Sequence, residues 1–188
     1  MAITVNTWTQ PSTMEAVVGD DLPAATWNLM LGNQNAANNV LTFGPGDFVA
    51  IQGSPAGAAL TSLLWPGLMF DGAADEIAGA AAIIPHGWLT ATAHLWWTPQ
   101  SGSGNVLWSA GYATAGDGEA PGAGATLITE AAVAAPAAGT FKKTSGSAVA
   151  VTAGEVLVVH VRRRADQAGD TLNGIDAALV AFELRRAT

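Results

Sequence analysis

The chain has 188 residues, a net charge of −8 at pH 7, and charged side chains at only 12% of its positions. Its length fits one domain of ordinary size, and its acidic balance excludes duplex DNA or RNA as the main partner, because phosphate binding relies on clustered Lys and Arg. The absence of cysteine excludes a disulfide framework, a thiolate metal site and a cysteine nucleophile.

The first 52 residues predict a small docking arm. Ile3–Trp8 alternates like a brief strand, and the segment DDLPAATW, with Asp21 and Pro23, is typical of the start of one short helix. So few large apolar residues cannot form a core alone, so we expect the arm to dock on another protein. The residues expected at that contact are Trp8, Trp27 and Asn28.

The pattern of residues 53–188 predicts a domain of strands. Apolar residues recur there with period two, and turn-forming Gly, Pro, Ser and Asp residues separate the alternating segments. The clearest segments are 77–84, 88–97, 105–116, 125–133, 141–151, 156–164 and 175–184. We therefore predict an all-β fold, an antiparallel jelly-roll-like β-sandwich of about eight strands. Removal of residues 1–50 is expected to leave this sandwich folded.

No membrane contact is expected. The start, MAITVNTWTQPS, lacks the basic and apolar regions of a secretory signal. The most apolar window, residues 78–97, is about as long as a membrane span, but Pro85, Gly87 and two histidines within it favour two adjoining strands.

Three consecutive arginines end the strand VLVVHVRRR. Alternation places Arg163 on the same face as Leu157, Val159 and Val161, and a guanidinium at the end of a core face requires a partner. The nearest carboxylates follow in the next loop. We predict a structural ion-pair cluster that fixes this loop, with a contact between subunits and a catalytic or nucleic-acid role as alternatives. Its members are Arg163, Arg164, Asp170 and Asp176.

Seven tryptophans are present, and we expect most to be buried. Trp96 and Trp97 are adjacent, so on a strand one faces the core and the other faces solvent, another subunit or a sugar. The aromatic residues expected to contact a ligand or a subunit are Trp88, Trp96 and Trp97, with Trp88 or Trp96 as the platform on which a sugar ring stacks.

The sequence contains no motif for chemistry. His86, His94 and His160 lack the spacing of metal ligands, and no phosphate loop, dinucleotide fingerprint or Gly-x-Ser-x-Gly turn occurs. We therefore expect no catalytic residue, no cofactor and no ligated metal, although a structural cation at the acidic loops stays open.

Two segments of the carboxyl-terminal half resemble a domain of tailed-bacteriophage structural proteins. The first joins the Trp-Thr-Pro of residues 97–99 to a strand of the form N-V-x-W-x-x-x-Y at residues 105–112. The second, residues 154–176, ends in an acidic loop with D-T-L-x-G. Near the amino terminus, LPAATWN is similar to an L-x-A-x-x-W-N opening found before such domains.

This resemblance implies a non-enzymatic virion protein that is assembled in the host cytoplasm. It implies above all a capsid decoration (cement) protein that projects a trimeric sandwich, with a head fibre or a tail-fibre module as the other positions, and such proteins are commonly homotrimers. The implied partners are further copies of the chain and the major capsid protein or a tail protein, which the arm would contact. The alternative is a carbohydrate- or receptor-binding module of a head or tail fibre, with exposed tryptophans and host-surface or environmental glycans as ligands.

Overall fold

The computed structural model describes residues 2–3, 14–15, 39–60, 65–122 and 124–187. The chain divides into two compact units, Met1–Val40 and Leu41–Thr188. In the first unit, β1 (Ala2–Ile3) and β2 (Met14–Glu15) pair antiparallel. The predicted helix and the arm residues Trp8, Trp27 and Asn28 lie outside the described residues.

The second unit is built from strands and a short 3-10 turn at Pro45–Asp47. Its strands are β3 (Val40–Phe43), β4 (Val49–Gln52), β5 (Ala56–Leu60), β6 (Trp65–Phe70), β7 (Asp75–Ile83), β8 (Thr90–Pro99), β9 (Asn105–Ala115), β10 (Ala125–Ala134), β11 (Lys142–Ala150), β12 (Val156–Arg164) and β13 (Ala177–Arg186).

Two antiparallel sheets pack face to face. The five-stranded sheet has the order β10-β9-β12-β7-β4, and the six-stranded sheet has the order β11-β8-β13-β6-β5, with β3 also paired to β13. The predicted all-β, jelly-roll-like β-sandwich is confirmed, although the sheets contain more strands than predicted.

The sandwich begins earlier than the predicted boundary at residue 53. Strand β4 pairs with β7, and β3 pairs with β13. Phe43 and Phe48 are buried in the core, with ring centroids 6.2 and 6.4 Å from that of Phe182. Residues 40–52 therefore belong to the sheets, and Gly44, Pro45 and Gly46 explain why the sequence there shows no long alternation.

The core lies between the sheets and follows the predicted alternation. On β8, Ala91, Ala93, Leu95 and Trp97 are buried, whereas the residues between them are partly exposed. The Trp97 ring packs 5.9 Å from Trp108, and its indole N–H donates to the Thr144 hydroxyl at 3.0 Å. Trp97 is therefore the core member of the Trp96–Trp97 pair, and the expectation that it also contacts a ligand is wrong.

Trp88 is also buried, with 1% of its surface exposed, so a sugar ring cannot stack on it. The reason is a turn: the Trp88 amide donates to the Pro85 carbonyl at 3.3 Å, and Gly87 has a φ of +81°. Strand β8 begins only at Thr90, so its alternation does not extend back to Trp88. The next residue, Leu89, is the one that faces outward, with 77% exposed.

Arg163 and Asp170 form a buried ion pair in which both side chains are essentially inaccessible. The guanidinium donates from Nε and Nη2 to the two carboxylate oxygens at 3.0 and 3.1 Å. Its Nη1 donates to the carbonyls of Phe70 and Ile175, and Asp170 also accepts the amide of Leu107. The pair thus ties β12 and the loop before β13 to β6 and β9.

The other two members of the predicted cluster have different partners. Arg164 lies 3.6 Å from Glu130 and 3.8 Å from Asp166, on the outer face of the five-stranded sheet. Asp176 accepts the backbone N–H of Gly72 at 3.1 Å. The prediction of one four-residue cluster is therefore corrected to a buried pair and two separate contacts, because alternation sends Arg163 and Arg164 to opposite faces.

Candidate functional site

A cleft of about 370 Å³ opens on the outer face of the five-stranded sheet, where β9, β10 and β12 lie side by side. This volume falls within the range of small-molecule sites. Both apolar and polar residues line it, and the polar side chains come from all three strands: Ser109, Thr126, Thr129, Glu130, His160 and Arg162.

A β-bulge in β10 shapes one wall of the cleft. Ile128 pairs with Ala110 and Ala131 pairs with Trp108, so Thr129 and Glu130 together face the single residue Ser109. Such a bulge redirects side chains and is common beside functional sites. Here Thr129 and Glu130 are exposed at the cleft, whereas Ile128 is 1% exposed and faces the core.

His160 forms the floor of the cleft and is flanked by glycines. It pairs with Gly111 on β9 and with Gly79 on β7. A Cβ atom added to Gly111 would overlap the imidazole, which shows that the ring leans over that glycine. Partial burial, with a smaller contribution from Arg162, lowers the pKa of His160 below its usual 6.5, so the ring is neutral at pH 7.

Arg162 is held in place by Asp75 of β7. Its Nε donates to one carboxylate oxygen at 2.7 Å and its Nη2 donates to the other. This hydrogen bonding raises the pKa of Arg162 and lowers that of Asp75. The paired guanidinium, which lines the cleft, is restrained in its orientation by these two bonds.

The remaining polar groups of the cleft have no hydrogen-bond partner among the described residues. These are the hydroxyls of Ser109, Thr126 and Thr129, both ring nitrogens of His160, and the Glu130 carboxylate, whose contact is the 3.6 Å ion pair with Arg164. Such groups offer donors and acceptors to a ligand rich in hydroxyl groups. Glu130 is the one carboxylate among the described residues that line the cleft.

The predicted platform Trp96 lies on the other sheet. Its side chain packs against the cluster of Ala178 and Val180 and is partly buried. The Lys143 ammonium lies 5.7 Å from the ring centroid, a cation–π distance. The indole N–H is buried with no partner among the described residues. The Trp96 ring is therefore partly buried and has a lysine ammonium nearby.

The predicted site residues thus do not come together. Trp88 and Trp97 are in the core, Trp96 is on the outer face of the six-stranded sheet, and the cleft contains none of them. Alternation along β12 puts His160 and Arg162 on one face of the strand, opposite that of Arg163. Nothing in the sequence indicated the bulge in β10 that adds Glu130, because a bulge breaks the pattern from which faces are assigned.

Neither a metal site nor a membrane segment is visible in the part of the chain that the structure describes. No group of three or more His, Cys, Asp or Glu residues there is placed to hold a metal ion. No described helix is long and apolar enough to span a membrane.

The fold and the cleft define a class: a jelly-roll-like β-sandwich with a cleft on the outer face of one sheet. Comparison with solved structures finds similar folds. The CBM22-1 xylan-binding domain of Xyn10C from Paenibacillus barcinonensis superposes with a TM-score of 0.51 at 12% identity, over 79% of this chain and 95% of that one. The CBM36-1 domain of a multidomain xylanase from the hindgut metagenome of Trinervitermes trinervoides gives 0.48 at 8% identity, over 80% and 99%.

At such low identity the similarity shows the shared fold and nothing finer. A comparison with protein-family models finds no match. A search of curated protein sequences also finds no match.

Proposed function

We propose that this chain is a non-catalytic glycan-binding module that holds a saccharide in the cleft on the five-stranded sheet. The observation that carries the proposal is a group of polar side chains around one cleft of about 370 Å³. It consists of hydroxyls and an imidazole without a hydrogen-bond partner in the described part of the chain, and of the Glu130 carboxylate, whose contact is the ion pair with Arg164. Sugars present many hydroxyl groups that both donate and accept, and these match such a lining. The xylan-binding domain that shares the fold supports the same class of ligand.

The recognition step follows from the geometry. Glu130 accepts hydrogen bonds from sugar hydroxyls, and the free N–H edge of Arg162 donates to a sugar oxygen. Ser109 and Thr126 serve as donor or acceptor on either side. Because Asp75 already fixes the guanidinium, little side-chain entropy is lost when the sugar binds.

The cleft favours binding over hydrolysis. Glycoside hydrolysis normally requires two carboxyl groups that flank the scissile bond. The described lining supplies Glu130 alone, and the nearby Asp75 is engaged by Arg162.

Affinity electrophoresis of the full chain in gels containing xylan, mannan, galactan or glucan tests the proposal. We expect retardation by at least one polysaccharide. Glu130→Gln should weaken that binding by about tenfold or more, because a hydrogen bond to a charged group contributes about 1.5–3 kcal/mol. Asp117→Asn, at an exposed carboxylate elsewhere, is the matched control and should bind like the wild type.

Two results would count against this site. Retardation by none of the polysaccharides would overturn the function. Retardation that is lost in Trp96→Ala but kept in Glu130→Gln would move the site to the six-stranded sheet. Circular dichroism of each variant establishes that it is folded.

We also propose that the module belongs to a tailed-bacteriophage virion, where a homotrimer bound to a capsid or tail protein would present it to glycans. The motifs at residues 97–112 and 154–176 favour this placement. Immunogold electron microscopy of phage particles, together with light scattering of the purified chain, tests it. Unlabelled particles or a monomer at micromolar concentration would argue against it.

A further inference from the structure

An exposed aliphatic surface lies on the same sheet face as the cleft. Among the described residues, five of the eight exposed large apolar side chains are on this face, which is too concentrated for scattered surface residues. We call them the aliphatic band: Val49, Ile51, Ile83, Val156 and Val158, which are 69%, 59%, 57%, 42% and 38% exposed.

The register of the sheet makes the band one surface. Val156 pairs with Ile83, and Val158 pairs with Ala81, so β12 and β7 present aliphatic side chains next to each other. Strand β4 adds Val49 and Ile51 beyond β7. The band contains no charged and no aromatic side chain.

The band is continuous with the cleft through Gly79. This glycine pairs with His160, and a Cβ atom added to it would overlap the end of the Ile51 side chain. Ile51 therefore lies over Gly79, next to His160, which forms the floor of the cleft. Along β12, Val158 and His160 are two residues apart on one face. A ligand bound in the cleft therefore contacts side chains of the aliphatic band at the edge of the cleft.

We infer that this face binds a glycolipid, with the sugar in the cleft and the first part of the aliphatic chain on the band. The inference rests on the proposed glycan binding and names its ligand class. From His160 to Val156 the strand rises about 13 Å, which sets the length of chain that the band covers. Valine and isoleucine provide contact area for methylene groups without the flat ring that a second sugar would need.

Titration calorimetry of the full chain with alkyl β-glycosides tests the inference, at concentrations below micelle formation. The probes are the free sugars and the methyl, ethyl, butyl, hexyl and octyl glycosides of glucose, galactose, mannose and xylose. We expect affinity for the bound sugar to rise about twofold to fourfold per methylene, because each methylene leaves water on the band. The double variant Ile51→Thr/Val158→Thr should lose this rise of affinity with chain length and should still bind methyl glycosides like the wild type. Leu89→Thr, at an exposed leucine outside the band, should retain it.

The outcomes separate the two proposals. Binding of methyl glycosides that is sensitive to Glu130→Gln, with no dependence on chain length, overturns the glycolipid and leaves the glycan site intact. A gain that stops after one or two carbons indicates an O-methylated or O-acetylated sugar and overturns it too. If octyl glycosides bind with the same affinity to the wild type and to Glu130→Gln, both proposals are overturned. A wild-type oligomer that becomes monomeric in Ile51→Thr/Val158→Thr shows that a second copy covers the band instead.

Discussion

Arg163 places a guanidinium inside a core that is mostly aliphatic and aromatic and in which Glu76, Thr98 and Asp170 are also buried. Removal of a charge from water costs several kcal/mol, and only complete pairing offsets that cost. The structure provides such pairing: Asp170 binds two sides of the guanidinium, and two backbone carbonyls bind the third. Arg163 therefore helps to fix the loop between β12 and β13, together with backbone hydrogen bonds of that loop such as those from Thr171 to Asn105 and from Gly174 to Gly72.

Asp170→Asn is predicted to destabilise the fold by about 3–5 kcal/mol, because it leaves a buried guanidinium without its counter-charge. Urea unfolding of the full chain measures this as a lower midpoint. Asp166→Asn is the matched control, since that carboxylate is 40% exposed and 3.8 Å from Arg164. It should change the free energy of unfolding by less than about 0.5 kcal/mol. Similar losses in both variants would contradict the role of the buried pair.

Two histidines should make stability depend on pH. Partial burial lowers the pKa of both His94 and His160, with help from Lys143 and Arg162 respectively. The unfolded chain then binds protons at higher pH than the folded chain. Stability is thus fully present above the unfolded pKa of about 6.5 and is lost as the pH falls through the lowered folded values.

The urea midpoint of the wild type should therefore be lower at pH 5 than at pH 7.5. The variant His94→Gln/His160→Gln should show a smaller difference between the two conditions. An equal drop in both proteins would assign the pH dependence to other groups.

At the scale of elements, the alternation of β8, β9 and β12 was enough to predict their faces and nearly their ends. The strands β3 to β6 were not predictable, because Pro55, Pro66 and several glycines interrupt segments of four to six residues. The cleft could not be predicted from the sequence for a related reason. Its wall depends on a bulge, and a bulge is decided by packing between strands rather than by local pattern.

Gly146 lies where the edges of the two sheets meet, and we predict that a glycine is required at this position. A Cβ atom at this position of β11 would overlap the carbonyl oxygen of Leu127 on β10. Gly146→Ala should cost about 1–3 kcal/mol, since the strands would have to move apart. Gly57→Ala on β5, where nothing lies within 4 Å, is the matched control. Thermal unfolding compares them, and equal melting temperatures would show that the edges are not in close contact.

At the scale of the whole molecule, the boundary between the two units decides which residues the sandwich needs in order to fold. The sequence predicted a boundary after residue 52 because the region before it contains few large apolar groups. Packing contradicts that argument for residues 40–52, since Phe43 and Phe48 complete an aromatic cluster with Phe182. Two phenylalanines separated by a Gly-Pro-Gly turn do not form a periodic pattern, so only the tertiary structure reveals their role.

A chain that begins at residue 39 should fold, whereas one that begins at residue 53 should not. The first keeps the compact unit Leu41–Thr188, with β3 and β4 in their sheets. The second loses two buried phenylalanines, and truncation of even one such side chain to alanine costs about 3–5 kcal/mol. Together these losses approach the total stability of about 5–15 kcal/mol that is typical of a domain. Circular dichroism melts of both fragments decide the matter, and a cooperative transition in the shorter one would restore the boundary at residue 53.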